Sequence, residues 1–107
     1  MIVLNSSDQL YARMTGNNGT SSTFHVNYID TDDNPGSQYG KFNGITEISI
    51  CNAPASGKVR LIKTGIICNM ESTSRSFIVQ VGNGANRYTV GYSGILGTSG
   101  IYEFAQQ

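Results

Sequence analysis

Several residue types that mark common classes of function are scarce in this chain. It has 107 residues with no tryptophan, one histidine, two prolines and two cysteines, and only 13% of its residues are charged. A typical soluble domain has about 25% charged residues. Seven basic and seven acidic residues give a formal net charge of +0. Nucleic-acid-binding domains carry clustered positive charge, so this composition argues against a nucleic-acid partner.

Long apolar runs are also missing. No run approaches the ~20 residues of a membrane-spanning helix, so no membrane partner is predicted. The apolar start at Met1–Leu4 has no basic flank and no long hydrophobic region, and we therefore do not interpret it as a signal peptide. These absences predict a soluble protein made in a cytoplasm.

Turn-forming residues are abundant, and they separate short apolar segments along the chain. The sequence has 13 glycines, and clusters of Gly, Asn, Ser and Asp recur at the spacing of turns. Between them, apolar and polar residues alternate, which is the pattern of strands that bury one face. The alternating apolar positions are Phe24, Val26 and Tyr28; Ile48 and Ile50; Phe77, Val79 and Val81; and Tyr88, Val90 and Tyr92. The pattern predicts one all-β domain over residues 1–107, an antiparallel β-sandwich or jelly-roll-like fold of about seven to eight strands.

The segment Lys58–Cys68 departs from strict alternation and is predicted to be a long, kinked, largely buried strand. Ile62, Ile66 and Cys68 are predicted to share one of its faces. Gly65 lies where the alternation slips, and glycine inside a strand often marks a bulge or a close backbone approach.

Both cysteines, Cys51 and Cys68, follow apolar runs and have no second Cys or His at the spacing of a metal site. Free cysteine packs as a small hydrophobic residue, so we predict two reduced, buried thiols. A disulfide would require an oxidising compartment, which nothing in the sequence indicates, and it stays open as the alternative. No cofactor is predicted.

No catalytic constellation is visible in the sequence. His25 is the only histidine, and Asp30 lies five residues further on, so the two side chains point to opposite faces of an extended strand. A triad requires three residues within hydrogen-bond reach, and no Gly-x-Ser-x-Gly motif selects a nucleophile. We therefore predict that the protein is not an enzyme. A carbohydrate-processing enzyme with a carboxylate pair drawn from Asp30, Glu47 or Glu103 stays open as a minor alternative.

An acidic segment matches the spacing of a calcium loop only in part. Asp30, Asp32 and Asn34 have the one-three-five spacing, but Pro35 stands where the sixth position requires glycine. An EF-hand is therefore excluded, while an irregular surface Ca²⁺ site stays open beside a plain acidic turn. The residues Asp32–Gly36 are predicted to open a long polar loop that runs to about Asn43.

A succession of strands, a polar loop and a turn runs along nearly the whole chain. It opens on Met1–Tyr11, continues with the strand His25–Asp30 and a polar loop, and then has an Ala-Pro-Ala-Ser turn within Asn52–Gly57. That turn precedes a basic-flanked strand, Val59–Asn69, which ends in Cys-Asn. This succession resembles small virion structural proteins of tailed bacteriophages.

The resemblance implies a structural role in a phage particle and transfers no catalytic residue. It implies a capsid decoration, or cement, protein that binds the major capsid protein or other virion proteins. The alternative is a tail- or head-fibre-associated module that contacts a receptor or anchors a spike. The resemblance also implies assembly in the host bacterial cytoplasm, location in the virion and a homo-oligomer, with a trimer favoured because it suits quasi-threefold joints.

Apolar and aromatic residues near the ends of the chain are predicted to form protein contacts. An exposed apolar first segment is costly, so it should be tied into a sheet or lie under a neighbouring subunit. Tyrosine combines a flat apolar face with a polar tip, which suits protein contacts. Zero net charge also favours self-association. The predicted interface residues are Met1, Ile2, Val3, Leu4, Tyr39, Tyr102 and Phe104.

Overall fold

The alternating segments form two antiparallel sheets. The computed structural model describes residues 2–16 and 18–105, and this part of the chain contains nine strands and no helix. The strands are β1 (Ile2–Leu4), β2 (Asp8–Met14), β3 (Thr23–Asp30), β4 (Pro35–Lys41), β5 (Ile48–Cys51), β6 (Arg60–Cys68), β7 (Phe77–Asn83), β8 (Asn86–Tyr92) and β9 (Ile101–Phe104). Each pairing between them is antiparallel.

The two sheets stack face to face. The first sheet has the order β1-β6-β3-β4, and β9 also pairs with β6 beside β1. The second sheet has the order β5-β2-β7-β8. The hairpins β3–β4 and β7–β8 stay within a sheet, and every other connection between described strands crosses to the opposite sheet. The shortest extent of the molecule, 19 Å, fits two sheets ~10 Å apart with side chains on their outer faces. The predicted antiparallel β-sandwich is confirmed.

An apolar core fills the space between the sheets. Its centre is aromatic, because the Phe42 ring lies 5.0 Å from that of Phe77 and 5.9 Å from that of Phe24, centroid to centroid. Val79, which was predicted to be buried, is fully buried. The core consists of Leu4, Leu10, Ala12, Met14, Phe24, Val26, Phe42, Ile50, Cys51, Ile62, Ile67, Phe77, Val79 and Phe104.

A bulge in β6 changes the burial predicted for this strand. Its pairing with β3 shifts register at Lys63, which has no residue opposite it. One extra residue reverses the face of every residue that follows it. Ile62 and Ile67 are therefore fully buried, whereas Ile66 is 38% exposed. The prediction that Ile62, Ile66 and Cys68 share one face is wrong for this reason.

Gly65 makes the close approach that its position in the strand predicted. It lies directly opposite Phe104 of β9. A Cβ atom at Gly65 would lie 2.1 Å from Cε2 of Phe104. Because glycine has no side chain, the aromatic ring can lie over the β6 backbone inside the core.

The stretch predicted to be a polar loop as far as Asn43 instead contains the edge strand β4. This strand has two glycines, and each lies opposite an aromatic residue of β3: Gly36 opposite Tyr28, and Gly40 opposite Phe24. A Cβ atom on Gly36 would lie 2.5 Å from the Tyr28 hydroxyl oxygen. The rings of β3 occupy the space above the glycines, and pairing with β3 overrides their low strand propensity.

The hairpin strand β8 is more exposed than its alternating pattern predicts. Its pairing with β7 shifts register at Val90, and Val90 is 44% exposed. Tyr88 and Tyr92 are 60% and 57% exposed. The prediction that Val90 lies on the buried face is therefore wrong, because a bulge on an edge strand turns this residue away from the core.

Candidate functional site

The acidic segment that begins at Asp30 is held by two ion pairs. Arg60 lies opposite Asp30, and its Nε and Nη2 donate to the two carboxylate oxygens at 2.7 and 3.0 Å. Lys58 pairs with Asp32. The hydrogen bond from Arg60 holds the pKa of Asp30 below its usual value, and the bond from Lys58 does the same for Asp32. Cations of the chain thus neutralise two carboxylates that a calcium loop would use, and no group of three His, Cys, Asp or Glu side chains suits a metal within the described residues.

His25 and Asp30 lie on opposite faces of β3, as predicted. Asp30 points between the sheets and is 8% exposed, while His25 is exposed on the outer face of the first sheet. The His25 ring meets the Tyr39 ring edge to face, with centroids 5.9 Å apart. This arrangement makes His25 part of an aromatic surface.

The two cysteines occupy different environments. Cys51 on β5 is fully buried, and burial raises the pKa of its thiol. Cys68 on β6 is half-buried on the outer face of the first sheet, where its sulfur lies 3.4 Å from the sulfur of Met70. Both are free cysteines in the structure, and Cys68 is less buried than predicted.

A buried carboxylate organises the loops at one end of the sandwich. Glu71 is 7% exposed, and its Oε2 accepts hydrogen bonds from the backbone N–H groups of Ser21 and Ser22 and from the Ser22 hydroxyl. Burial alone would raise the pKa of Glu71, but these hydrogen bonds outweigh it, so the pKa lies below its usual value. The carboxylate therefore ties the β2–β3 connection to the β6–β7 connection.

Asn69 extends this network to a third connection. It is fully buried, and its Nδ2 donates to the carbonyl oxygens of Thr73 and Leu96 at 3.2 and 2.8 Å. Its Oδ1 accepts from the backbone N–H of Glu71 at 3.0 Å. We call this end of the sandwich the loop end; it consists of residues 15–16, 18–22, 42–47, 69–76 and 93–100. Its loops are fixed by buried hydrogen bonds and not by the apolar core alone.

The outer face of the first sheet carries a group of neighbouring exposed side chains. His25 lies opposite Ile66 on one side and opposite Tyr39 on the other. Cys68 lies opposite Ile101 in the next row. Tyr39 is 74% exposed and Ile101 is 59% exposed. We call this surface the outer-face patch; it consists of His25, Tyr39, Ile66, Cys68, Met70 and Ile101.

The outer face of the second sheet differs, because its side chains pair with one another. Nε and Nη2 of Arg87 each donate to a carboxylate oxygen of Glu47 at 2.9 Å. The same guanidinium lies 4.1 Å from the centroid of the Tyr11 ring. Nearby, the Ser49 hydroxyl donates to Gln9 at 2.8 Å. These contacts satisfy polar groups within the chain, while the edge strand β8 of the same sheet exposes Tyr88, Val90 and Tyr92, between 44% and 60%.

The predicted interface residues separate into three groups. Leu4 and Phe104 are core residues, because β1 and β9 both pair with β6 and direct these side chains inward. Ile2 and Tyr102 are partly buried and pack against the core. Val3 and Tyr39 are 45% and 74% exposed, and Met1 lies outside the described residues. The strands β1 and β9 therefore bury Leu4 and Phe104 by pairing with β6, without a neighbouring subunit. Of the predicted interface residues, only Tyr39 belongs to the outer-face patch.

Sequence reasoning missed most of the outer-face patch. Ile66 was predicted to share a face with Ile62, because the bulge at Lys63 leaves no clear signal in the sequence. Ile101 was part of an apolar ending and was not singled out. The contact between Cys68 and Met70 follows from their spacing of two residues at the end of β6, and this spacing was the one available signal.

No protein-family model, no curated protein and no solved structure matches the chain significantly. The described residues form no helix with the length and apolar character needed to cross a membrane.

Proposed function

We propose that the protein is a non-enzymatic assembly protein that binds another protein through the outer-face patch. The observation that supports this is the exposure of Tyr39, Ile66, Met70 and Ile101, between 38% and 74%, on one sheet face. Apolar surface in water is unfavourable by ~25 cal/mol per Å². Contiguous exposed apolar surface is typical of protein–protein contacts.

The charges around the patch favour a protein partner over a nucleic acid. Lys41 on β4 and Glu103 on β9 flank the patch on the same outer face. Lys41 and Glu103 have opposite signs, and together with the exposed Lys63 at the β6 bulge they form no continuous positive stripe for a phosphate backbone. A face with few charges and an exposed tyrosine is instead typical of the centre of a protein interface.

The setting that we propose for this contact is a phage particle, and it rests on the sequence resemblance. There the protein is a capsid decoration protein that binds the major capsid protein and strengthens the shell by burying interface area. A homotrimer is the assembly that suits a quasi-threefold joint. The zero net charge removes electrostatic repulsion between copies.

A tail- or head-fibre-associated module is the second candidate, and the loop end supports it. Ile45 and Ile95 are 50% and 83% exposed on loops of this end. Loops held by a rigid scaffold are common binding elements. In this alternative the loop end contacts the receptor or spike, and the protein is present in few copies.

The outer-face patch is tested with a double variant and a matched control. Tyr39→Ser with Ile66→Thr removes one aromatic and one apolar aliphatic side chain from the patch. Tyr88→Ser with Val90→Thr removes the same types from exposed positions of the second sheet. Binding to purified shells that lack the protein should fall at least about tenfold for the first variant and stay unchanged for the control. Equal binding by both variants, at equal melting temperature, would remove the patch from the proposal.

The particle setting is tested by copy number and association state. Mass spectrometry of purified particles should find hundreds of copies for a decoration protein, and a dozen or fewer for a tail module. Sedimentation equilibrium in the micromolar range should find a trimer. A monomer that binds no shell would contradict both the trimer and the decoration role.

A further inference from the structure

The loop end contains a cleft that the core and the outer-face patch do not explain. The cleft encloses about 220 Å³, which is below the ~300–1,000 Å³ of pockets for whole small molecules. Its size suits a single side chain or the end of a chain. It is lined by Thr15, Gly16, Ser74, Arg75, Ser76 and Ile95.

Arg75 at this cleft has hydrogen-bonding capacity that the chain does not use. Its Nη1 donates to Thr73 Oγ1 and to the Ser74 carbonyl oxygen, and its Nη2 donates to the Asn18 carbonyl oxygen at 3.2 Å. Its Nε is buried without a hydrogen-bond partner, and no other buried side-chain nitrogen or oxygen of the described residues shares this state. A buried donor without an acceptor is unfavourable, and folded proteins leave few such groups.

Two other arginines of the chain show what this edge of a guanidinium binds. Arg60 donates through Nε and Nη2 to the carboxylate of Asp30. Arg87 donates through the same two atoms to the carboxylate of Glu47. This two-bond geometry matches a planar carboxylate and is stronger than a single neutral hydrogen bond. On Arg75 the same edge meets only one carbonyl oxygen, at Nη2.

We infer that the cleft binds a carboxylate of a protein partner through Nε and Nη2 of Arg75. Thr15, Ser74 and Ser76 also line the cleft, and each has a hydroxyl group that is able to donate a further hydrogen bond. Ile95, 83% exposed, offers an apolar contact for the carbon atoms next to the carboxylate. The ligand is an Asp or Glu side chain or the carboxyl end of a chain, and its source in a partner rests on the proposed protein-binding function.

The guanidinium can turn its Nε edge toward such a ligand at low cost. The hydrogen bonds that hold Nη1 and Nη2 lie at exposed positions. Exchanging such a bond for one to water or to a ligand changes the free energy little. A charged ligand adds two charge-assisted bonds in return.

The inference is tested by titrating ¹⁵N-labelled protein with small carboxylates and following the Arg75 Nε–H resonance by NMR. N-acetyl-aspartate N-methylamide represents a side-chain carboxylate, and N-acetylglycine represents a chain end. The matched neutral probe is N-acetyl-asparagine N-methylamide, and inorganic phosphate is the competing anion. We expect saturable shifts of Arg75 Nε–H and of the Gly16 and Ser76 amides with a carboxylate probe only. The carboxylate that binds more tightly identifies the source.

Two arginine variants complete the test. Arg75→Lys keeps the charge but loses the two-bond edge, so its affinity for the carboxylate should fall about tenfold. Arg13→Lys, on the outer face of the second sheet, should bind like the wild type. An equal response to the neutral probe, binding of phosphate alone, or unchanged affinity of Arg75→Lys would overturn the inference. The proposed function is tested separately, by shell binding of the double variant Tyr39→Ser/Ile66→Thr. Failure of the carboxylate inference can therefore be distinguished from failure of the proposed function.

Discussion

Asp30 and Arg60 lie directly opposite each other on β3 and β6, and their ion pair points between the sheets. Their side chains are 9% and 12% exposed. Arg60 also donates through Nη1 to the Asn52 carbonyl oxygen at 2.9 Å and lies 3.8 Å from the centroid of the Tyr28 ring. The guanidinium thus joins both ends of the β5–β6 connection to β3. Because the pair is almost buried, loss of one partner leaves a charge without compensation.

We expect Asp30→Asn to lower the free energy of unfolding by about 3 kcal/mol at neutral pH, since Arg60 loses its counter-charge inside the fold. The folded-state pKa of Asp30 lies below the ordinary value of 3.8. Its stabilisation is therefore present above that pH and is lost as the pH falls through the folded-state pKa. Urea denaturation of both proteins should show their difference narrowing below about pH 4.

A control for this pH dependence is Asp32→Asn. The Lys58–Asp32 pair is 39% and 44% exposed, and exposed pairs contribute little to stability. We expect no measurable change in urea midpoint. If Asp32→Asn were as destabilising as Asp30→Asn, the position of the pair between the sheets would not be the cause.

We expect Gly65→Ala to destabilise the fold by about 2 kcal/mol, because the new methyl group overlaps the Phe104 ring and overpacks the core. Gly97→Ala is the matched control, since no heavy atom lies within 4 Å of a Cβ placed there. Thermal unfolding of both variants measures the difference. The double variant Gly65→Ala/Phe104→Leu should lose less free energy of unfolding than the two single variants lose together.

Val79 and Val90 give opposite expectations for the same substitution. Val79→Asp places an unpaired charge at a fully buried position, and the cooperative thermal transition should disappear. Val90→Asp places the charge at a position that is 44% exposed, and the melting temperature should change by only a few degrees. Calorimetry distinguishes these outcomes, and similar loss in both variants would contradict the bulge at Val90.

The two thiols should react at different rates with a thiol-specific reagent. Cys68 is half-buried on an outer face and should react in the native state. Cys51 is fully buried with a raised pKa, and it should react only after denaturation. The Cys68→Ser variant should therefore show no fast reaction. A reductant should leave the melting temperature of the wild type unchanged; a decrease would reveal a disulfide.

The alternation of apolar residues was sufficient to predict the fold class and much of the core. Phe24, Val26, Phe77 and Val79 are buried as their period-two spacing predicts. The prediction succeeded because each of these residues lies in a strand segment without a bulge. In such a segment, odd-numbered and even-numbered residues point to opposite faces of the sheet, and this odd–even parity predicts which residues are buried. The pattern assigned the wrong face at Ile66 and Val90, where a bulge breaks this parity.

Bulges and pairing partners account for the errors. The extra residue at Lys63 exchanged the faces of Ile66 and Ile67, and no residue type at this point requires a bulge. The strand β4 was taken for a loop because its glycines are poor strand formers, and the rings of Tyr28 and Phe24 that cover them come from a different strand. The cleft at Arg75 depends on three connections, β2–β3, β6–β7 and β8–β9, meeting in space, which no local pattern predicts.

The central strand β6 has consequences for folding during synthesis. Its free edge is completed by β1 at Arg60–Ile62 and by β9 at Gly65–Cys68, so it needs segments from both ends of the described chain. On a ribosome, β1 and β3 are available when β6 emerges, but β9 is not. In a nascent chain, the edge of β6 at Gly65–Cys68 therefore stays unpaired until residues 101–104 leave the exit tunnel. Contacts of such long sequence separation form slowly, and an open edge invites pairing with other chains. We expect stalled chains that end before residue 101 to be the aggregation-prone species of this protein.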